Sequence, residues 1–205
     1  MADRNFAADL SGLVRDRRSI RAFDPAPIDP AEIREILELA ARAPSAWNLQ
    51  PWRFAVVIDP TTKGELQAAA HGQPQVGSAP VVVVLASDMV NALDRLDGAI
   101  PPDATGEGRA KLRANIVGYF DKLTPERRDE WGLAQANIAL GYLLILLGSR
   151  GYGSSPMLGF DADRVRSILG LPGHVQLAAL VAFGRPTAPG RPSTRHPANS
   201  LIRIV

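Results

Sequence analysis

The chain has 205 residues, 46% of them hydrophobic, which suits one compact domain (1–205) with its own core. Lys+Arg number 23 against 21 Asp+Glu, a net charge of only +2. No tract alternates basic with aromatic residues, so nucleic acid is not an expected partner. The absence of cysteine excludes disulfides, thiolate zinc sites and a cysteine nucleophile.

The opening MADRNFAADL carries acids and no apolar signal core. The most apolar stretch, 138–148, is too short to span a bilayer. A cytoplasmic protein with no membrane partner is therefore expected. His71, His174 and His196 are scattered, without the close spacing of helical metal ligands, and no metal is expected.

Phe6, Leu10, Leu13 and Val14 recur at helical spacing and predict a first helix ending among arginines. Asp29-Pro30-Ala31-Glu32 reads as a helix start, with Asp as N-cap and Pro in the first turn. Ile33, Ile36, Leu37 and Ala40 give that helix an apolar face, and Pro44 stops it at Ala43. The β-branched runs 54–58 and 81–86 read as buried strands, with a helix over 62–70 between them. The polar segment 91–124, broken by Pro101-Pro102 and by Gly106 and Gly108, predicts a loop and then a solvated helix, in a place where a lid over a site can lie.

Thr124-Pro125 opens the longest helix, extended to Ser149. Its Ala134, Ala136, Ala139 and Gly141 would let another helix approach closely, and its apolar second half demands cover on several sides, for which a partner subunit is the expected source. Trp131 and Tyr142 read as core or interface residues. Asp161 caps a helix to Leu169, and 175–183 is a last core strand. The terminal LIRIV alternates apolar with polar, as a strand added to a sheet would, the partner's included.

Two constellations carry chemistry. Arg15, Arg17, Arg18 and Arg21, with Ser19 among them, concentrate donors suited to phosphate oxygens. On charge alone a solvated basic helix end fits equally well. The second, 43–54, joins helix to strand through Pro44 and Pro51 and sets Ser45, Trp47, Asn48 and Gln50 on a stiff turn. Such a turn offers hydrogen bonds and a stacking wall to a planar ligand, while a rigid connection with a core tryptophan accounts for the same residues. Gly151-Tyr152-Gly153 begins like a dinucleotide fingerprint, but it lacks the third glycine and follows a helix, so a Rossmann site is rejected. His71 and His196 read as surface or ligand-adjacent groups, not catalytic ones.

Taken together, RRSIRAF and APSAWNLQPWRF resemble the amino-terminal signature of the nitroreductase family. Pro156-Met157-Leu158-Gly159-Phe160-Asp161 resembles that family's Pro-x-x-Gly-Phe-Asp turn, and Gly184-Arg185-Pro186 with Ser193-Thr194-Arg195-His196-Pro197 resembles its closing elements. The resemblance runs in order from Arg15 to Pro197. It implies an α+β fold, a central mixed or antiparallel sheet flanked by helices, in an intertwined homodimer with two FMN sites at the interface. By the same resemblance Arg17, Arg18, Ser19, Arg21 and Arg195 hold the FMN phosphate and ribityl. Pro44, Ser45, Ala46 and Asn48 contact the flavin from the other subunit, and Gln73 faces its pyrimidine. Pro156, Met157, Leu158 and Gly159 line the ring. Ser193 and Leu158 depart from the Lys and Glu of many members.

The family likeness further implies an enzyme that moves hydride from NADH or NADPH to a small organic acceptor in a ping-pong cycle, with the flavin carrying the chemistry and no catalytic side chain. Nitroaromatics, quinones, enones and aldehydes are the candidate acceptors. An oxygen-dependent flavin-remodelling enzyme of the same fold and a non-catalytic FMN-binding dimer are the alternatives.

Overall fold

The computed structural model describes residues 6–205. Eight helices and four strands follow in chain order: α1 (Phe6–Asp16), α2 (Pro30–Ala40), β1 (Trp52–Val57), α3 (Pro60–Ala69), α4 (Pro74–Ser78), β2 (Val81–Ser87), α5 (Met89–Asp94), α6 (Gly106–Phe120), α7 (Pro125–Ser149), β3 (Gly153–Met157), α8 (Ala162–Leu169) and β4 (Gln176–Gly184). The opening five residues lie outside the described ones, so that part of the amino-terminal reading has no structural counterpart.

The sheet has the order β1-β2-β4-β3, and every neighbouring pair is antiparallel. Both central strands, β2 and β4, are buried almost throughout, which is why their sequences are near-continuous runs of Val, Ala and Leu. Successive side chains divide between two faces. Val81 and Val83 join Ile33, Ile36, Leu143 and Leu147, under α2 and α7. Val82 and Val84 join Leu66, Val76 and Val165, under α3, α4 and α8. A satellite cluster holds Leu49, Met89, Leu96, Ile116 and Phe120, where α5 and α6 pack beside the sheet.

Helix starts follow the capping chemistry. Asp29, Asp59, Asp88, Thr124 and Asp161 each accept from a backbone N–H in the first turn, and Pro stands at the head of α2, α3 and α7. Helix α2 ends at Ala40, three residues short of the expected stop, because Arg42 and Ala43 turn back onto the Leu39 and Ala40 carbonyls.

Several expectations are corrected. β1 begins at Trp52 and α3 at Pro60, each two residues early. β3 was not foreseen as a strand; Ser154, Ser155 and Pro156 have no β-branched or aromatic signal and are held by pairing to β4. Short α4 was also missed. The 91–124 segment is not a loop at its start, since α5 and a 3-10 turn at Leu96–Gly98 occupy it. Helix α6 is largely solvated, as expected, but Ile116 and Phe120 anchor it. In α7, Ala136 and Ala139 face the chain's own sheet, not another helix. Gly132 lies so close to Ser87 and Met89 that a Cβ would meet them at 2.3 and 2.6 Å. The terminal LIRIV is not a strand within its own chain, and all five of its residues are exposed.

By length and composition alone, helix α7 is long and apolar enough to cross a membrane. One face of it nevertheless lies in the core through Ala136, Ala139, Leu143 and Leu147.

Candidate functional site

Residues 17–19 follow α1 as extended chain. Ser19 bridges Ser154 in parallel, and Ile20 N–H donates to the Ser154 carbonyl at 2.9 Å, so the arginine segment is stitched to the start of β3. Two glycines admit it. A Cβ on Gly153 would lie 2.6 Å from Ile20, and one on Gly190 would lie 2.4 Å from Arg18 Cβ and 3.0 Å from the Ser19 carbonyl oxygen. A groove of ≈ 650 Å³ opens beside the segment, lined by Arg17, Arg18, Ile20, Tyr152, Ser154 and Gly190 among others.

The two arginines differ in what they have left to bind. Arg18 spends Nη1 on the Arg15 and Arg17 carbonyls, at 2.7 and 2.9 Å. Arg17 Nη1 is buried and has no hydrogen-bond partner among the described residues. A buried guanidinium donor without an acceptor costs about 1–3 kcal/mol, so this position suits an anion such as phosphate. Arg21 and Arg195 are exposed. Arg195 donates to its neighbour Thr194, three positions beyond Pro192, the last residue lining the groove.

At the far end of β3, Pro156 is half-buried, Met157 buried, and Leu158 and Gly159 exposed. Gln73, just before α4, donates through Nε2 to the Gly159 carbonyl at 2.9 Å. Thus Arg17, Arg18, Ser19, Gln73 and 156–159 all lie along the β3 edge. Leu158 is an apolar side chain left 75% exposed.

Residues 44–48 lie elsewhere, on the turn leading into β1. Ser45 Oγ accepts from Gln50 N–H at 3.0 Å, and Gln135 of α7 accepts from Ala46 N–H at 2.9 Å. Asn48 Oδ1 accepts from Gln50 at 2.8 Å, while its Nδ2 donates to the Ala99 carbonyl at 3.4 Å. Trp47, Asn48 and Gln50 have φ of 52°, 53° and 47°. A left-handed backbone costs a side-chain-bearing residue about 1–2 kcal/mol, and bonds of this kind are what hold it. Beneath the turn, Arg53 donates to the Trp52 carbonyl and reaches Asn91; burial lowers its pKa, against the opposing charge of Asp88.

The turn precedes β1 at one sheet edge, and 156–159 ends β3 at the other. Three strand spacings, about 14 Å, separate the two edges. Within one chain the two groups of candidate residues are therefore not brought together. Gln135, the Ala99 carbonyl and Gly190 were not singled out from sequence. The first two enter through tertiary contacts that no local pattern signals, and Gly190 does so through its close approach to Arg18 and Ser19. Among the described residues no cluster of His, Cys, Asp or Glu could hold a metal ion.

Known proteins match this arrangement along nearly its whole length. The chain is 52% identical over 189 residues to the NADH dehydrogenase of Thermus thermophilus, covering 92% of this chain and 91% of that one. It is 31% identical over 205 residues to YdgI of Bacillus subtilis, a candidate NAD(P)H nitroreductase, covering 94% and 96%. Among solved structures, a candidate nitroreductase from Exiguobacterium sibiricum in complex with FMN superimposes with a TM-score of 0.88 at 27% identity, covering 96% of this chain and 97% of that one. The family model described as the nitroreductase family matches residues 14–185. The chain belongs to the nitroreductase family.

Proposed function

We propose that this protein is an FMN-dependent oxidoreductase that passes hydride from NADH or NADPH to an organic acceptor in a ping-pong cycle. The observation that carries the reading is the buried Nη1 of Arg17, unpartnered among the described residues, beside a groove of ≈ 650 Å³. The Thermus relative's designation as an NADH dehydrogenase supports a nicotinamide donor, and the FMN-bound Exiguobacterium structure supports the cofactor.

Bound FMN supplies a centre that accepts and later donates hydride. The chain's own residues hold and orient it. Arg17, Arg18 and Ser19 are the phosphate donors, with Arg21 and Arg195 adding positive charge. The main chain of 156–159 lines the ring, where fixed N–H dipoles favour negative charge. Gln73 fixes the Gly159 peptide and presents an amide to the same side. No side chain is required as acid or base. The balance of the cycle is one hydride and one proton, from NAD(P)H and solvent, added to the acceptor.

A second copy of the chain supplies residues 44–48. Their place at the sheet edge opposite 156–159 supports this. Further support comes from apolar surface that a monomer leaves open: Ile138 and Tyr142 on α7 are 39% and 43% exposed, and Leu201, Ile202 and Ile204 stand free in the tail.

The test is an anaerobic visible spectrum of the FMN-supplemented protein before and after NADH or NADPH. Rapid bleaching of bound flavin is expected. Flavin that binds and stays oxidised would move the assignment to flavin remodelling or a non-catalytic role, and no bound flavin would sink it.

A further inference from the structure

Beyond β4 the chain runs into a segment, 184–195, that carries Arg185, Arg191 and Arg195 and no acid. It is laid along the arginine segment that follows α1. Thr187 N–H donates to the Ala22 carbonyl at 3.1 Å, Asp24 N–H donates to the Arg185 carbonyl at 2.9 Å, and Phe23 bridges Pro186. Between them, 15–24 and 184–195 hold seven arginines and two acids, Asp16 and Asp24. Asp24 Oδ1 is itself engaged by Ala26 N–H at 2.9 Å. The whole chain is only +2, so the remainder carries net negative charge. Among the described residues none of the seven is ion-paired, whereas Arg109, Arg113, Arg128, Arg150 and Arg166 each face a carboxylate.

Arg185 and Arg191 stand at the rim of the groove. Arg191 lies between Gly190 and Pro192, both of which line it. The Arg185 guanidinium sits 5.4 Å from the centroid of the Tyr152 ring, within cation–π range. Tyr152 lines the groove and is fixed in turn, its hydroxyl donating to Glu32 Oε2 at 2.8 Å. Both arginines are exposed, unlike Arg17. An exposed rim charge attracts an anion across the Debye length but adds little to the bound state, where water screens it. A buried donor does the reverse, acting on dissociation. From this geometry, and resting on the flavin assignment above, we propose that Arg185 and Arg191 form an outer anion site that captures the phosphate monoester of FMN and passes it to Arg17. The outer pair sets the rate of loading, and Arg17 sets the residence time.

Stopped-flow mixing of FMN-free protein with FMN reads association from flavin fluorescence, and dilution of the loaded protein reads dissociation. At about 10 mM salt, where the Debye length is about 30 Å, Arg185→Gln and Arg191→Gln should each slow association about two- to threefold. At about 1 M salt, where that length is about 3 Å, both should match wild type. Dissociation should stay unchanged in these two variants and become faster in Arg17→Ala. Arg164→Gln removes the same charge from exposed α8, under the other face of the sheet, and should alter neither rate. Unchanged association at low salt in both rim variants, or an equal slowing in Arg164→Gln, would overturn the proposal. So would faster dissociation with unchanged association, which would make the pair ordinary contacts of the bound state. Wild-type protein that binds no FMN on mixing would instead overturn the flavin assignment beneath it.

Discussion

Gln73 Nε2 donates to the Gly159 carbonyl at 2.9 Å, so the residue that opens α4 and the turn that follows β3 move as one piece. Gln75 extends the link. Its Nε2 donates to Gln73 Oε1 at 3.1 Å and lies 3.2 Å from Met157 Sδ, within the buried interior. Both glutamines thus act on the segment that lines the proposed ring site.

The two should separate under substitution. Gln73→Ala frees the exposed Gly159 turn and should weaken FMN binding severalfold, with about 1 kcal/mol or less lost in stability. Gln75→Leu leaves Gln73 its bond to Gly159 but removes a buried donor, so stability should fall by about 1 kcal/mol with a smaller change in affinity. Flavin-fluorescence titration and urea denaturation measure the pair. Equal effects of both variants on affinity would show that Gln73 has no special place.

Arg17 offers a sharper contrast with Gly190. Because Arg17 Nη1 has no acceptor among the described residues, Arg17→Ala should leave the FMN-free protein as stable as wild type, or slightly more so. The same change should cost about 1.5–3 kcal/mol of FMN binding, the worth of a charge-assisted bond. Gly190→Ala should damage both, since its Cβ would fall 2.4 Å from Arg18 Cβ and push the arginine segment off β3. Overpacking of this kind costs about 1–3 kcal/mol of stability. Gly173→Ala, with open space around its Cβ, is the neutral control. A loss of apo stability in Arg17→Ala equal to that in Gly190→Ala would contradict the anion-site reading.

What the sequence made legible follows from where each element gets its stability. The capped helices α2, α7 and α8 and the strands β2 and β4 carry their signals locally, in Asp29, Thr124, Asp161 and runs of valine. β3 does not, because Ser154 and Ser155 are strand-forming only when β4 pairs with them. The same division holds for the site. Arg17, Arg18 and Ser19 stand out as a dense set of donors, yet it is Gly153 and Gly190, distant in sequence, that let them sit where they do. The left-handed residues Trp47, Asn48 and Gln50 had no glycine to announce them; Gln135, the Ser45 hydroxyl and the amide of Asn48 hold this turn through contacts absent from any local pattern. Small residues on α7 suggested a neighbouring helix, but Ala136 and Ala139 pack on the sheet, since spacing alone does not name the partner of a face.

Asp129 of α7 gives a pH-dependent test. Burial raises its pKa above the ordinary carboxylate value, against the bond it accepts from Gln176 at 2.9 Å; Glu126 raises it further and His174 opposes. A folded-state value above the unfolded one means that the folded chain holds the proton more tightly. The contribution is therefore fully present below the unfolded pKa and is lost as pH rises through the raised value. Asp129→Asn keeps an acceptor for Gln176 without the buried charge. It should raise the Tm at neutral pH, with the gain shrinking toward about pH 3, where Asp129 is protonated. Calorimetry across that range decides it, and a lower Tm at neutral pH would mean that the Asp129 charge is a net asset.

The exposed face of α7 sets the last expectation. Ala134, Ile138, Gly141 and Tyr142 lie on the side of the helix away from the sheet, and nothing stands within 4 Å of where a Gly141 Cβ would be. Ile138→Arg places a charge on this face without touching the core or the arginine groove. If a second copy covers the face, the charge meets an apolar surface and dimer affinity should fall at least tenfold, seen as a concentration-dependent sedimentation coefficient. Flavin should be lost in step, because residues 44–48 of the partner leave with it while Arg17, Arg18 and Ser19 remain intact. The coupling is the discriminating part. A variant that becomes monomeric yet holds FMN with wild-type affinity would show that one chain builds the site alone, despite the width of the sheet between 44–48 and 156–159. A variant that stays dimeric would place the interface on another face.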